Sequence, residues 1–81
     1  MSISKPTLER LIQLSRLLSQ LDAPESPDAV LSSAQMSRMT GWSGDTIRRD
    51  ISLLADNGAT ATGYNIRLLR LAIRRELGIG D

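Results

Sequence analysis

The chain has 81 residues, ten Lys/Arg against nine Asp/Glu and a formal charge of +1, which fits one domain near the lower size limit for independent folding. With no cysteine and no histidine it has no disulfide staple, thiolate nucleophile, ordinary zinc site or imidazole base, so stability rests on aliphatic packing or a partner. Scattered acids and no phosphate-cradling glycine loop argue against an enzyme, and no apolar run or signal-peptide core argues against a membrane or secreted protein; the expectation is cytoplasmic.

Ser4 or Thr7 opens the first helix, with Pro6 early in it. Leu8, Leu11, Ile12, Leu14, Leu17, Leu18 and Leu21 then spread over more of the circumference than one small core needs. That surplus, with Leu68, Leu71 and Ala72 near the other end, predicts a homodimer seam or a docking face for a further domain. The acidic, proline-punctuated DAPESPD is a loop.

Val30 and Leu31 form a two-residue apolar extension. Ser32 with Gln35 fits a capping box for a short second helix, with Ala34, Met36 and Met39 facing inward and Gly41 ending it. Trp42 is expected in the core of the turn, and Ser43 caps a third helix. Ile47, Ile51 and Leu54 make its inner face; Asp45, Arg48, Arg49 and Ser52 lie opposite.

Asn57-Gly58 and Gly63 punctuate a stretch in which Thr60 and Thr62 suit a short hairpin. Asn65 caps a last helix cored by Ile66, Leu69, Ile73 and Leu77, beside which Arg67, Arg70 and Arg74 either meet phosphate or solvate the surface. The order is that of a mainly α winged helix-turn-helix. One domain, 1–81, would hold the first helix in 1–22, the helix-turn-helix in 32–58, the wing in 59–64 and the last helix in 65–78.

GWSGDTIRRDIS, from 41 to 52, admits two interpretations. Asp45 precedes Arg48 and Arg49 by three and four residues, the order of ordinary surface ion pairs worth tenths of a kcal/mol. A helix that enters the major groove needs the same layout. Ser43 and Thr46 would donate hydroxyls to phosphate at the helix N-terminus, while Arg48 and Arg49 fork onto guanine or clamp phosphate.

The string from Ser43 to Asp50, S-x-x-TIRRD, resembles the recognition helix of two bacterial repressor families, DeoR and the redox-sensing Rex family. GYNIRLLRLAIRRELGI, from 63 to 79, resembles the Gly-Tyr-Asn and terminal helix of the Rex DNA-binding domain, and SKPTLERLIQLSRLL resembles its opening helix. The resemblance implies a winged helix that binds palindromic double-stranded operators as a dimer. It also implies a Rossmann-type domain elsewhere that binds NADH and controls release. Carried over, Ser43, Thr46, Arg48 and Arg49 match recognition-helix contacts, Ser33 a phosphate contact, and Asp50 an acid that holds the domain together.

Two departures accompany this likeness. Where Rex wings carry basic residues for the minor groove, this chain has Ala59-Thr60-Ala61, leaving Thr60 as the polar candidate. There is also no Gly-x-Gly-x-x-Gly, so no cofactor is assigned to these residues. The leading expectation is sequence-specific DNA binding as a Rex-like repressor domain. The alternative is a winged-helix protein-interaction module, favoured by the neutral wing, Asp45 and the charge of +1.

Overall fold

Helix α1 (Lys5–Leu21) begins at Ser4, whose Oγ accepts the Thr7 amide, and Pro6 occupies the first turn, where its missing N–H costs nothing. The computed structural model describes residues 3–78; the tail of the 63–79 motif, from 79 onward, lies outside the described residues. Leu11, Leu14 and Leu18 are buried on α1, while Leu8, Ile12, Leu17 and Leu21 are half-buried. Leu17 and Leu21 pack against the core, so much of the surplus expected for a dimer seam is consumed within the domain.

After the loop, β1 (Val30–Leu31) leads into α2 (Ser33–Thr40). The capping box at its start is complete: Ser32 Oγ accepts the Gln35 amide and Gln35 Oε1 accepts the Ser32 amide. Only Met36 of the three residues expected to face inward is buried; Ala34 is exposed and Met39 is 52% exposed. The inward line is instead Ser33, Met36, Ser37 and Thr40, at three- and four-residue spacing, and the other two fall off it on either side.

Gly41 ends α2 at φ +83°, a left-handed position that a side chain disfavours. Ser37 Oγ donates to the Trp42 carbonyl and Thr40 Oγ1 accepts the Trp42 amide, which stiffens the turn into α3 (Gly44–Ser52). Ser43 caps α3 by accepting the Thr46 amide. Ile47 and Ile51 are buried on its inner side, with Leu54 just beyond, as their spacing predicts.

β2 (Tyr64–Asn65) pairs antiparallel with β1, Val30 opposite Asn65 and Leu31 opposite Tyr64. The wing before it is a tight turn closed by a bridge from Ala59 to Tyr64 and by the Thr60 amide donating to the Gly63 carbonyl. Thr60 and Thr62 are thus turn residues rather than strand residues, because β2 pairs with β1 and leaves the hairpin almost no ladder of its own. Gly63 is required there: a Cβ would sit 2.8 Å from the Leu31 carbonyl oxygen.

Asn65 also caps α4 (Ile66–Leu77), its Oδ1 accepting the Leu68 amide and its Nδ2 donating to the Pro27 carbonyl. Ile66, Leu69, Ala72 and Ile73 close the core against α1. Ala72 therefore belongs to the interior and not to the outer apolar surface expected for it; Leu68 stands 50% exposed. Each fully buried Leu or Ile contributes about 1.5–3 kcal/mol relative to exposure. α1, α3 and α4 supply such side chains and α2 supplies Met36, and the fold is a winged helix-turn-helix.

Candidate nucleic-acid interface

Amphipathic spacing divides α3 into two working sides. Burying Ile47 and Ile51 turns Asp45, Arg48, Arg49 and Ser52 outward, and all four are exposed. Ser43 Oγ donates to Thr46 Oγ1 at 3.0 Å, so these two hydroxyls stand together at the start of the helix. An anion approaching there meets hydroxyl donors and the positive end of the helix dipole.

Arg48 is engaged. One Nη donates to Asp45 and the other to Ser33 Oγ at 3.0 Å, joining the first turns of α2 and α3. The structure thus brings Ser33, Arg48, Ser43 and Thr46 onto the helix-turn-helix. The Arg49 carbonyl accepts the Ser52 hydroxyl, while the exposed Arg49 guanidinium makes no hydrogen bond or ion pair among the described residues. It borders a recess of about 320 Å³ lined also by Thr7, Arg10, Thr46, Asp50 and Leu53. Thr60 stands apart in the wing, its Oγ1 bonded to the Gly63 carbonyl and to the Thr62 and Gly63 amides. Residues 59–62 are exposed and uncharged.

The other side of α3 bears out the expectation that Asp50 holds the domain together, and supplies the partner that sequence reasoning missed, Arg10. Asp50 is 6% exposed, and Arg10 of α1 grips its carboxylate with Nε at 2.6 Å and an Nη at 3.0 Å. The Thr7 hydroxyl, 3.4 Å away, adds a third donor. The arginine pKa is raised, chiefly by the hydrogen bond to Asp50 and against the lowering effect of burial. Because the shift is upward, that stabilisation is complete below arginine's ordinary pKa and is lost only in stronger alkali. This clamp aligns α3 against α1. A signal was present: Asp50, three after Ile47 and one before Ile51, borders the buried stripe, where a carboxylate requires a cation.

The last helix corrects another expectation. Arg67 and Arg70 neither solvate α4 nor stand free for phosphate: both bind Asp22 at 3.1 Å, and Arg67 also donates to the Ala23 carbonyl. They fasten α4 to the end of α1. Arg74 also has a partner within the protein.

The described residues include no helix long and apolar enough to cross a membrane and no cluster of acids suited to a metal. The family profile described as "Putative DNA-binding protein N-terminus" matches residues 2–52, a span covering α1 and the whole helix-turn-helix. A redox-sensing transcriptional repressor Rex from Natranaerobius thermophilus is 36% identical over 50 residues. That stretch is 62% of this chain but 23% of the repressor, so the likeness concerns a minor part of the relative. No solved structure matches.

Proposed function

The chain belongs to this DNA-binding N-terminal family, to which Rex repressors are related, and on that premise we propose that it reads a palindromic operator with the outer side of α3. Arg49 and Arg48 contact base edges or phosphates, Ser43, Thr46 and Ser33 contact phosphates, and Thr60 touches the flanking backbone. The observation that carries this reading is the division of α3: aliphatic side chains inward, two arginines outward at the tip of a capped helix-turn-helix. Two copies bound to half-sites one turn apart would multiply weak single-domain contacts. Redox control belongs to the relative's name; here it would act through an NADH-binding domain outside these residues. The two-residue strands and the lack of a glycine-rich turn do not fit that cofactor within them.

Selection from a randomised duplex pool followed by fluorescence anisotropy tests the proposal. Arg49→Ala should lose about 1–3 kcal/mol of affinity for the selected duplex and keep its thermal midpoint. If changing both Arg48 and Arg49 to Ala leaves affinity and salt slope intact, the reading is wrong. The uncharged wing favours a second reading, a protein-interaction module, which predicts no duplex binding even at low salt.

A further inference from the structure

Arg48 does not simply point into solvent. Its guanidinium curls back over the first turn of its own helix and rests against Gly44, where a Cβ would come within 3.2 Å of Nη1 and within 4 Å of Cζ and Nη2. Three features make this berth: the bare Gly44, the Asp45 carboxylate and the Ser33 hydroxyl at 3.0 Å. Among the described residues Asp45 is the only anion in it, and at 77% exposure its carboxylate faces the same solvent as the arginine.

We propose that Asp45 is a specificity-determining residue that parks Arg48 and sets how much the domain gains from DNA that lacks the right base pair. The inference rests on the operator reading of α3. To reach a duplex, Arg48 must leave Asp45. A phosphate alone replaces one anionic partner with another and brings its own charge close to the abandoned carboxylate, so little is gained. A guanine edge returns a two-pronged partner to Arg48, and a neighbouring cytosine amino group gives Asp45 a donor. The pair therefore penalises phosphate-only contact more than contact with a G·C-containing step. Ser33 couples the exchange to α2, because releasing Arg48 also frees the hydroxyl at the start of that helix.

The test measures anisotropy on a selected duplex and a random-sequence duplex, at several salt concentrations, for wild type, Asp45→Asn, Arg48→Ala and the double variant. Asp45→Asn should raise affinity for the random duplex roughly fivefold at low salt and steepen its log–log salt slope by about 0.9. The gain on the selected duplex should be smaller. In the Arg48→Ala background the effect should vanish. An equal gain in that background shows that Asp45 acts as bulk charge and overturns the proposal, as does an equal gain on both duplexes. NMR of the free protein supplies a readout that needs no DNA. The Arg48 Nη–H resonances should shift and exchange faster in Asp45→Asn, and unchanged resonances refute the berth. If no protein binds either duplex, the operator reading fails and the role of Asp45 with it; binding without the selective gain overturns the role of Asp45 alone.

Discussion

Asp50 and Asp45 stand little more than one turn apart on α3, and each holds an arginine. Around Asp50 the side chains are 8% and 27% exposed, and the partner comes from a different helix. Around Asp45 they are 77% and 53% exposed, and the partner lies three residues along the same helix. Both are carboxylate–guanidinium pairs, although Asp50 receives two arginine nitrogens and a threonine hydroxyl where Asp45 receives one arginine nitrogen. Burial and sequence separation decide that one pair aligns the helix and the other is open to exchange. Where water screens both charges, a new anion can displace the old at small cost. Where it does not, a lost partner leaves an uncompensated charge in the interior.

The largest expected effect comes from breaking the buried member. Asp50→Ala strands the Arg10 guanidinium and the Thr7 hydroxyl between α1 and α3, and should cost about 3 kcal/mol in urea denaturation. For a domain whose whole stability is on the order of 5 kcal/mol, that is most of the reserve. A cost under about 0.5 kcal/mol, like that of an exposed pair, would erase the contrast.

An intermediate case sharpens the comparison. Asp22 is 12% exposed and shared by Arg67 and Arg70, whose own side chains keep 34% and 23% of their surface in water. Asp22→Ala should cost about 1–2 kcal/mol, between the two extremes, and should lower the thermal midpoint accordingly. The smallest effect is expected at the surface, where Asp45→Asn should change stability by less than about 0.5 kcal/mol. Raising the salt concentration should erase even that, while leaving the penalty of Asp50→Ala nearly untouched.

These pairs also show which parts of the molecule could be read from the chain. Local features could: the cap at Ser43, the capping box from Ser32 to Gln35, the cap at Asn65 and the two sides of α3 are all spaced within a few residues. Their physics is short-range, so their signature sits in adjacent letters. Arg10 and Asp50 are forty positions apart, and Arg67 and Asp22 forty-five. Nothing in either neighbourhood names the other, although the place of Asp50 beside buried isoleucines demanded some cation. Met39 went wrong for a related reason. On a helix of two turns the inward line can be drawn through small polar residues as well as through methionines, and contact with Trp42 and the turn decided the matter. Of the side chains proposed to meet DNA, Ser43, Thr46, Arg48 and Arg49 could be grouped from the sequence at α3, whereas the engagement of Arg48 with Ser33 needed α2 to be placed.

Asn65 has a consequence of its own for how the molecule opens. Its amide nitrogen donates to the Gly58 carbonyl, its Nδ2 to Pro27, its Oδ1 receives Leu68, and its backbone stands opposite Val30. One residue thus ties three segments into a single cooperative unit, its side chain holding the inter-helix loop and the start of α4 and its backbone holding the wing. Deuterium should enter all three at a common rate, later than it enters the tip around Ala61, and Asn65→Ala should split that shared rate into separate ones.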